Sequence, residues 1–597
     1  MSSTSDTCCK KVGPESCKKN KDGSCTFVKM CTLKTPEGEF PCECICTCKC
    51  AKGDCKSCEY IDIPNLTIPQ FVFKDFHRFP KKIGVECSVT ERKYTFDEIR
   101  TKAHNLSKGL RKVLNLKNGD VLAILLPNVP EFPISVLGTL EANLIVTCIN
   151  PTFSPGEIRN QLLDSNAKAI ITLSALCPLL QAAFAEMKHK IPILNVSCQP
   201  FEDKIENTIS FNELVETHFE VEEIQPNSTN DTAFLLYSSG TTGLPKGVQL
   251  SHKNIIANLC QIDIPSFKIA YETTENYQDV IPGILPWFHI AGLNMVMLLY
   301  LRYLCKLITM PKFTPELYIN ILTRHKPSLM PVVPPIVSFM ANHPAVKKEY
   351  VQCLRAVICG AAPLSPVDEE KIINKTNGRV EVLQAYGLTE TSPFVLATSF
   401  IRKRELKLKG SIGEVLPNTT VKVVSADNSE GNALGPNEPG ELLVKGPQVT
   451  KGYHQRADET NSAFQDGWFK TGDLIYYDDN KMFYIQDRLK ELIKVKGYQV
   501  APVELENLIR NFPGVEDAAV IGVSNDRYGQ VPRAFVVLKS GSKLNTDELI
   551  SYVSNNVAEY KQLKGGVVII DAIPKNASGK TLRRQLKVKY DSKNASS

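Results

Sequence analysis

The segment Tyr237-Ser-Ser-Gly-Thr-Thr-Gly-Leu-Pro-Lys246-Gly247 constrains this chain more than any other. It lies between two strand-like runs, Thr232–Leu236 before it and Gly247–Leu250 after it. Glycines Gly240 and Gly243 let the backbone approach an anion closely and turn its N–H groups toward it. The hydroxyls of Ser238, Ser239, Thr241 and Thr242 add neutral donors, and Lys246 adds a charged one. A loop of this composition grips a polyphosphate. It is not a P-loop, because the spacing differs and no helix follows the lysine directly. A Gly/Ser-rich turn is ordinarily a flexible connection, but so many constrained positions at a strand boundary argue against that reading.

The flanking sequence alternates between two periodicities. Val121–Leu126, Leu144–Ile149 and Lys168–Leu173 read as buried strands, while Pro130–Glu141 and Gly156–Asp164 read as helices. Short apolar strands separated by helical patterns predict parallel βαβ units. Between Thr420 and Gly446 the pattern changes: Thr420–Val424 and Glu441–Lys445 flank a Gly/Asn/Pro-rich region and predict a small antiparallel, β-barrel-like subdomain. A second unit begins near residue 487. Pro502–Arg510 is helical, Asp517–Val523 and Ala534–Leu538 are strand-like, and Asn545 with Glu548 forms a capping-box-like start for a helix running toward Glu559. Val567–Ile570 closes this compact α+β unit of about 100 residues. The expected fold class is therefore α/β, with a large N-terminal domain at 60–486 and a smaller C-terminal domain at 491–590. The polar residues 591–597 are expected to fray.

Lys and Arg number 70 against 64 for Asp and Glu, too mild a surplus to make nucleic acid the main partner. No membrane span is expected. The apolar stretch Leu285–Leu301 carries His289 and Asn294, and Val121–Ile149 is broken by Asn128, Pro130 and Glu131. The first fifteen residues are polar and lack an apolar signal core, so secretion is not expected. The cysteines are the anomaly: twelve of the twenty lie in the first 58 residues. In a reducing compartment, dense thiols point to soft metal ions held by thiolates. Successive side chains of an extended chain point to opposite sides, and cysteines alternate along Cys42, Cys44, Cys46, Cys48 and Cys50. With Cys55 and Cys58, these are candidate ligands for Zn2+ or Cu+, in a multi-metal cluster rather than one tetrahedral site, which prefers longer spacing. The arrangement resembles a metallothionein in style. The competing reading of residues 1–59 is a disordered leader.

Six further motifs follow the phosphate-gripping loop in order: Pro286-Trp-Phe-His289, Gly360-Ala-Ala-Pro-Leu364, Gln384-Ala-Tyr-Gly-Leu-Thr-Glu390, Gly467-Trp-Phe-Lys-Thr-Gly-Asp473, Asp487-Arg-Leu-Lys-Glu-Leu-Ile-Lys494-Val-Lys-Gly-Tyr-Gln499, and Pro574-Lys-Asn-Ala-Ser-Gly-Lys580. From residue 60 to 588 the chain resembles the adenylate-forming superfamily, in the branch of acyl-CoA synthetases, 4-coumarate–CoA ligases and beetle luciferases. The resemblance implies ligation of a carboxylic acid to CoA, with ATP, Mg2+ and CoA as the other participants. Ser238, Ser239, Gly240, Thr241, Thr242, Gly243 and Lys246 would hold the ATP phosphates. Tyr386 would stack near adenine, with Ala362, Gln384 and Ala385 lining the same pocket. Thr389 and Glu390 would sit by the phosphate and its Mg2+, a hard cation that takes oxygen ligands. Asp473 would accept from the ribose hydroxyls, assisted by Arg488. Lys580 would bridge carboxylate and phosphate as negative charge develops. The small domain would then rotate about a hinge at 487–490, with Lys490 near its pivot. Lys494 and Gln499 would contact AMP, and Lys496 and Gly497 would face CoA.

By the same resemblance His289 would stand where the acyl and phosphate pockets join. Ala291, Gly360, Gly387, Pro393 and Phe394 would line the acyl pocket. Plant 4-coumarate–CoA ligases carry a tyrosine where Ala291 stands, a glycine where Ala385 stands and a small aliphatic residue where Phe394 stands. The pocket is therefore reshaped, and a medium- or long-chain fatty acid or another aryl acid fits at least as well as hydroxycinnamate. Two alternatives stay open. One is a luciferase-like monooxygenase, although Ile290-Ala291-Gly292 stands where luminescent members carry His-Gly-Phe. The other is a metal-binding protein with an inactive ligase body. The chain ends Asn594-Ala-Ser-Ser597 rather than in a Ser-Lys-Leu-type peroxisomal address, so cytoplasm is the expected location.

Overall fold

The computed structural model describes residues 60–198, 205–238, 245–362, 364, 366–406, 408–425, 433–495, 498–525, 527–576 and 579–591, together with the strands Cys17–Lys19, Cys25–Thr35, Gly38–Cys48 and Cys55–Lys56. Strand Val121–Leu125 is buried at every position, as befits a parallel strand covered on both faces. It lies inside a seven-stranded sheet in the order Ile209–Ser210, Ile193–Val196, Ala167–Leu173, Val121–Leu125, Ile145–Cys148, Thr232–Ser238, Lys246–Ser251. All pairs are parallel except the last. The helix Phe96–Lys112 starts at a capping box made by Thr95 and Glu98. It meets helix Glu131–Glu141 so closely that a Cβ on Gly138 would lie 2.7 Å from the Ala103 carbonyl oxygen. The strands and helices expected around the phosphate-gripping loop are present with ends shifted by one or two residues.

A second sheet runs Leu329–Val332, Ala356–Cys359, Glu381–Gly387, Phe394–Ala397, Glu414–Val415, its first three strands parallel and the rest antiparallel. The antiparallel subdomain is also present. Thr420–Val424 pairs with Gly440–Lys445, which pairs with Trp468–Tyr477, and Phe483–Arg488 lies along the last of these. Its outer edge is extended by Cys55–Lys56, which pairs with Thr420–Val424.

The small domain carries the hairpin Val515–Asn525 and Gly529–Leu538, with Val567–Ile569 parallel to the second strand. These strands exceed the expected Asp517–Val523 and Ala534–Leu538. The antiparallel register carries the polar residues Ser524 and Gln530 into the ladder, and they have no apolar signal of their own. Helix Pro502–Arg510 is as expected. The helix capped by Asn545 ends at Asn556, and only a single 3-10 turn follows at Glu559–Lys561.

The leader contains an antiparallel three-stranded sheet that places Cys25 opposite Cys48 and Cys31 opposite Cys42. Period-two spacing suits a strand. Cys50 and Cys58 fall outside the described residues, as do the side chains of Cys42, Cys44, Cys46, Cys48 and Cys55. Among the described residues, no three His, Cys, Asp or Glu side chains gather for a metal ion. No helix among them is long and apolar enough to cross a membrane.

Candidate active site

Three parts of the fold converge on one cleft. The hairpin of the seven-stranded sheet brings Ser238 and Lys246 directly opposite each other at its mouth. The interior of the connecting loop, including Ser239, Gly240, Thr241, Thr242 and Gly243, lies outside the described residues. The second sheet contributes the 3-10 turn Thr389–Thr391, which carries Thr389 and Glu390. The strand before it can turn there because Gly387 has no side chain: a Cβ would lie 1.8 Å from the Pro393 carbonyl oxygen. Glu390 is buried, and its Oε1 accepts from the Ser238 hydroxyl at 3.2 Å and from the Tyr453 hydroxyl at 3.0 Å. No described donor bonds its Oε2, which leaves an oxygen for a hard cation.

A second group of site residues is built on strand Glu381–Gly387 and the β-subdomain. The Tyr386 hydroxyl donates to Asp473 Oδ2 at 2.6 Å. Asp473 and Arg488 are register partners on neighbouring antiparallel strands, and Arg488 Nε lies 3.0 Å from Asp473 Oδ1. That N–H is not aimed at the oxygen, so the buried Oδ1 lacks a hydrogen-bond donor among the described residues. An orphaned acceptor of this kind is costly unless a ligand hydroxyl satisfies it. Burial pushes the Asp473 carboxyl up, with Arg488 and Tyr386 opposing. Gln384 is buried on the same strand, and Ala362 lies half-buried after strand Ala356–Cys359. Ala385 points the other way, as strand alternation requires, and packs with Phe267, Ala397, Leu416 and Phe394. The structure thus groups it with a residue expected in the acyl pocket rather than with Tyr386.

The small domain delivers the third part. Gly579, at φ +78, lies against Pro335 and Val333 of the large domain. The loop is closed by Asn576, whose Oδ1 accepts from Lys580 N at 2.9 Å. Lys580 is half-buried beside Arg488, Glu491 and Asp473. Burial, reinforced by Arg488, pushes its ammonium down to about 8. Lys490 is exposed in the turn after Phe483–Arg488. Lys494 is exposed on strand Ile493–Val495, with Gln499 as its register partner. Lys496, Gly497 and the Gln499 side chain lie outside the described residues. The domains are also joined by Asp487, whose Oδ2 accepts from Val503 N at 3.0 Å. Burial raises the Asp487 carboxyl to about 7.

His289 precedes a short helical turn, Ile290–Gly292, that widens into a π-helix over Leu293–Leu298, a form frequent at functional sites. Gly292 is required there, since a Cβ would lie 2.1 Å from the Pro286 carbonyl oxygen. Burial lowers the His289 imidazole to about 4, so at neutral pH it is an uncharged partner and not a cation. Ala291 follows it half-buried. Phe394 N donates to Asn258 Oδ1 at 3.0 Å, and Gly360 N donates to Val332 O at 3.3 Å.

Several groups here carry no motif of their own. Tyr453 lies between Lys246 of the hairpin and Glu390. Arg583 joins Glu491 and donates to Glu506 Oε1 at 2.7 Å, tying the lysine loop to the residue after Lys490. Only the pairing of distant segments identifies them.

The sequence matches the AMP-binding enzyme family over residues 72–454 and the AMP-binding enzyme C-terminal domain over residues 504–580. It is 35% identical over 544 residues to a probable 4-coumarate–CoA ligase 1 of Dictyostelium discoideum, covering 88% of this chain and 96% of that one. It is likewise 35% identical over 547 residues to 4-coumarate–CoA ligase 2 of Solanum tuberosum, covering 88% and 95%. Among solved structures, ATP-bound MatB from Rhodopseudomonas palustris superposes with a TM-score of 0.78 at 26% identity, covering 88% of this chain and 99% of that one. An o-succinylbenzoate CoA synthetase from Bacillus subtilis, in complex with its acyl-adenylate intermediate, gives 0.71 at 27%, covering 87% and 98%.

Proposed function

The chain belongs to the AMP-binding enzyme family, and we propose that it is an ATP-dependent ligase joining a carboxylic acid to CoA through an acyl-adenylate. The observation that carries this reading is the convergence of Lys580, Arg488 and the buried Asp473 at one site, opposite a carboxylate bonded across the mouth of a phosphate-gripping hairpin. A carboxylate is a poor acyl donor because its oxygen is a poor leaving group. Its attack on the α-phosphate of ATP releases pyrophosphate and creates a mixed anhydride that a thiol can open. Two anions must meet, so cationic groups have to stand where charge develops. Lys580 supplies that charge, Asp473 orients the ribose, and Glu390 offers an oxygen to the Mg2+ that accompanies ATP. Neutral His289 excludes water without adding charge. The acid is a fatty or aryl acid, and the half-buried Phe394 and Ala291 set its shape. A panel of such acids assayed for pyrophosphate release and acyl-CoA formation tests the proposal, and absence of both with every acid would overturn it. Light emission with luciferin, ATP and oxygen would instead favour the oxygenase alternative.

The second half-reaction needs Lys580 withdrawn and a thiol admitted. Lys490, exposed in the turn between the domains, serves as the pivot. Proline fixes φ and removes a backbone N–H. Lys490→Pro is therefore expected to slow thioester formation from preformed acyl-AMP by about tenfold, roughly 1.4 kcal/mol, with pyrophosphate release less affected. Equal retention of both steps would exclude Lys490 as the pivot.

The leader adds a separate property. The density of thiols and the cross-strand placement of Cys25 with Cys48 and Cys31 with Cys42 support thiolate binding of Zn2+ or Cu+. Because thiolate ligands must lose protons, metal is held at neutral pH and released by acid. Native mass spectrometry of the reduced full-length protein is expected to show several ions that a protein starting at Glu59 lacks, while both retain ligase activity. No metal adduct on the full-length protein would remove the claim.

A further inference from the structure

Segment 447–454 stitches together parts of the cleft that come from different sheets. Gly452 O accepts from Gln249 N at 3.0 Å, His454 N donates to Gly247 O at 2.7 Å, and Tyr453 bridges to Val248. The segment is therefore laid along the strand that begins with Lys246. At its other side, Thr450 N donates to the Glu390 carbonyl oxygen at 2.8 Å. Its path is exacting at Gly452, whose φ is +140 and where a Cβ would lie 2.4 Å from Thr460 Cγ2. Tyr453 is pinned further by its N–H, which donates to Thr460 Oγ1 at 3.0 Å.

So held, the Tyr453 side chain meets two functional groups at once. Its hydroxyl donates to Glu390 Oε1 at 3.0 Å, and the Lys246 ammonium stands 5.3 Å from the centre of its ring. The hydroxyl shares Oε1 with Ser238, so both protein donors are spent on one oxygen of the carboxylate. The rotation of the Glu390 carboxylate is thereby set, and Oε2 receives no hydrogen bond from a described donor. Burial and the adjacent Glu390 push the Tyr453 hydroxyl above its ordinary range, which keeps it a donor. The ring is a negative face under a cation that must also attract phosphate.

We propose that Tyr453 is a positioning residue for adenylation: its hydroxyl aims Glu390 at the Mg2+ of ATP, and its ring fixes Lys246 at the phosphates. The inference rests on the reading of the cleft as an ATP site, and the experiment separates the two. ATP binding to the full-length protein is measured by calorimetry, once with excess Mg2+ and once in EDTA, without acid or CoA so that no turnover occurs. Tyr453→Phe removes only the hydroxyl. A hydrogen bond to a charged group contributes about 1.5–3 kcal/mol, so the gain in ATP affinity that Mg2+ produces is expected to shrink about tenfold. Affinity in EDTA is expected to stay within about twofold of wild type. Tyr453→Leu also removes the ring, and in EDTA it is expected to weaken ATP binding about threefold or more. A merely structural role would lower affinity equally with and without Mg2+ and overturn the proposal, as would an unchanged Mg2+ gain in Tyr453→Phe. Failure of the wild-type protein to bind ATP under either condition would instead overturn the ligase reading itself. Thermal melting of each variant identifies any that fail to fold, and Tyr453→Phe alone then decides.

Discussion

Lys580→Ala is expected to lower pyrophosphate release from acid plus ATP by about 100-fold or more, the usual cost of removing a preorganised group that stabilises developing charge. The structure supplies the geometry. Lys580 sits on a loop pinned by Asn576 and docked at Pro335, half-buried beside Arg488, Glu491 and Asp473. Thioester formation from preformed acyl-AMP plus CoA is expected to survive, because that step follows withdrawal of the lysine. An equal loss in both steps would make Lys580 structural. The acidity of the group adds a second reading of the same experiment. Its folded value is depressed to about 8, and the protonated form is the one that stabilises charge. Adenylation kcat/KM in the wild type is therefore expected to fall as pH rises through about 8. The free enzyme's ionisations govern this profile. Lys580→Arg keeps a cation across that range and is expected to lose the alkaline limb, whatever its absolute rate. A profile unchanged in Lys580→Arg would assign the limb to another group.

Asp473→Ala is expected to destabilise the large domain by about 1.5–3 kcal/mol, the usual contribution of a hydrogen bond to a charged group. Arg488 would be left without its opposing carboxylate, and the Tyr386 hydroxyl would lose its acceptor 2.6 Å away. Denaturant unfolding followed by tyrosine fluorescence at fixed pH measures the loss. ATP affinity is expected to fall with it, since the orphaned Oδ1 is the acceptor offered to the ribose. The double variant Asp473→Ala/Arg488→Ala is expected to recover little of the stability, because the part-exposed Arg488 keeps Glu491 and Glu390 nearby in the single variant, and none of the ATP affinity. A single variant within about 1 kcal/mol of wild type would show that the pair contributes little to the fold.

The chain's own sequence was enough to determine every feature governed by near neighbours. A short continuous apolar run marked Val121–Leu126 as a buried strand, strand-like residues marked Thr420–Val424, and a helical pattern marked Pro502–Arg510. Local composition pointed to Ser238 and Lys246, while Glu390, Asp473 and Lys580 were named by the ordered motifs that resemble the adenylate-forming superfamily. Relations across the chain were decided only by folding. Ser238 and Glu390 are 152 residues apart, and their hydrogen bond depends on a strand end of one sheet meeting the 3-10 turn that follows a strand of another. Asp473 faces Arg488 because of an antiparallel register, which a shift of one residue would reverse. The same alternation turned Ala385 away from Tyr386 and toward Phe394. Tyr453 had no motif to announce it, since its partners are a carboxylate 63 residues earlier and a lysine on another sheet. Periodicity reports which face of an element is apolar, but which element that face meets is settled by register and packing, and the geometry of this cleft was decided there.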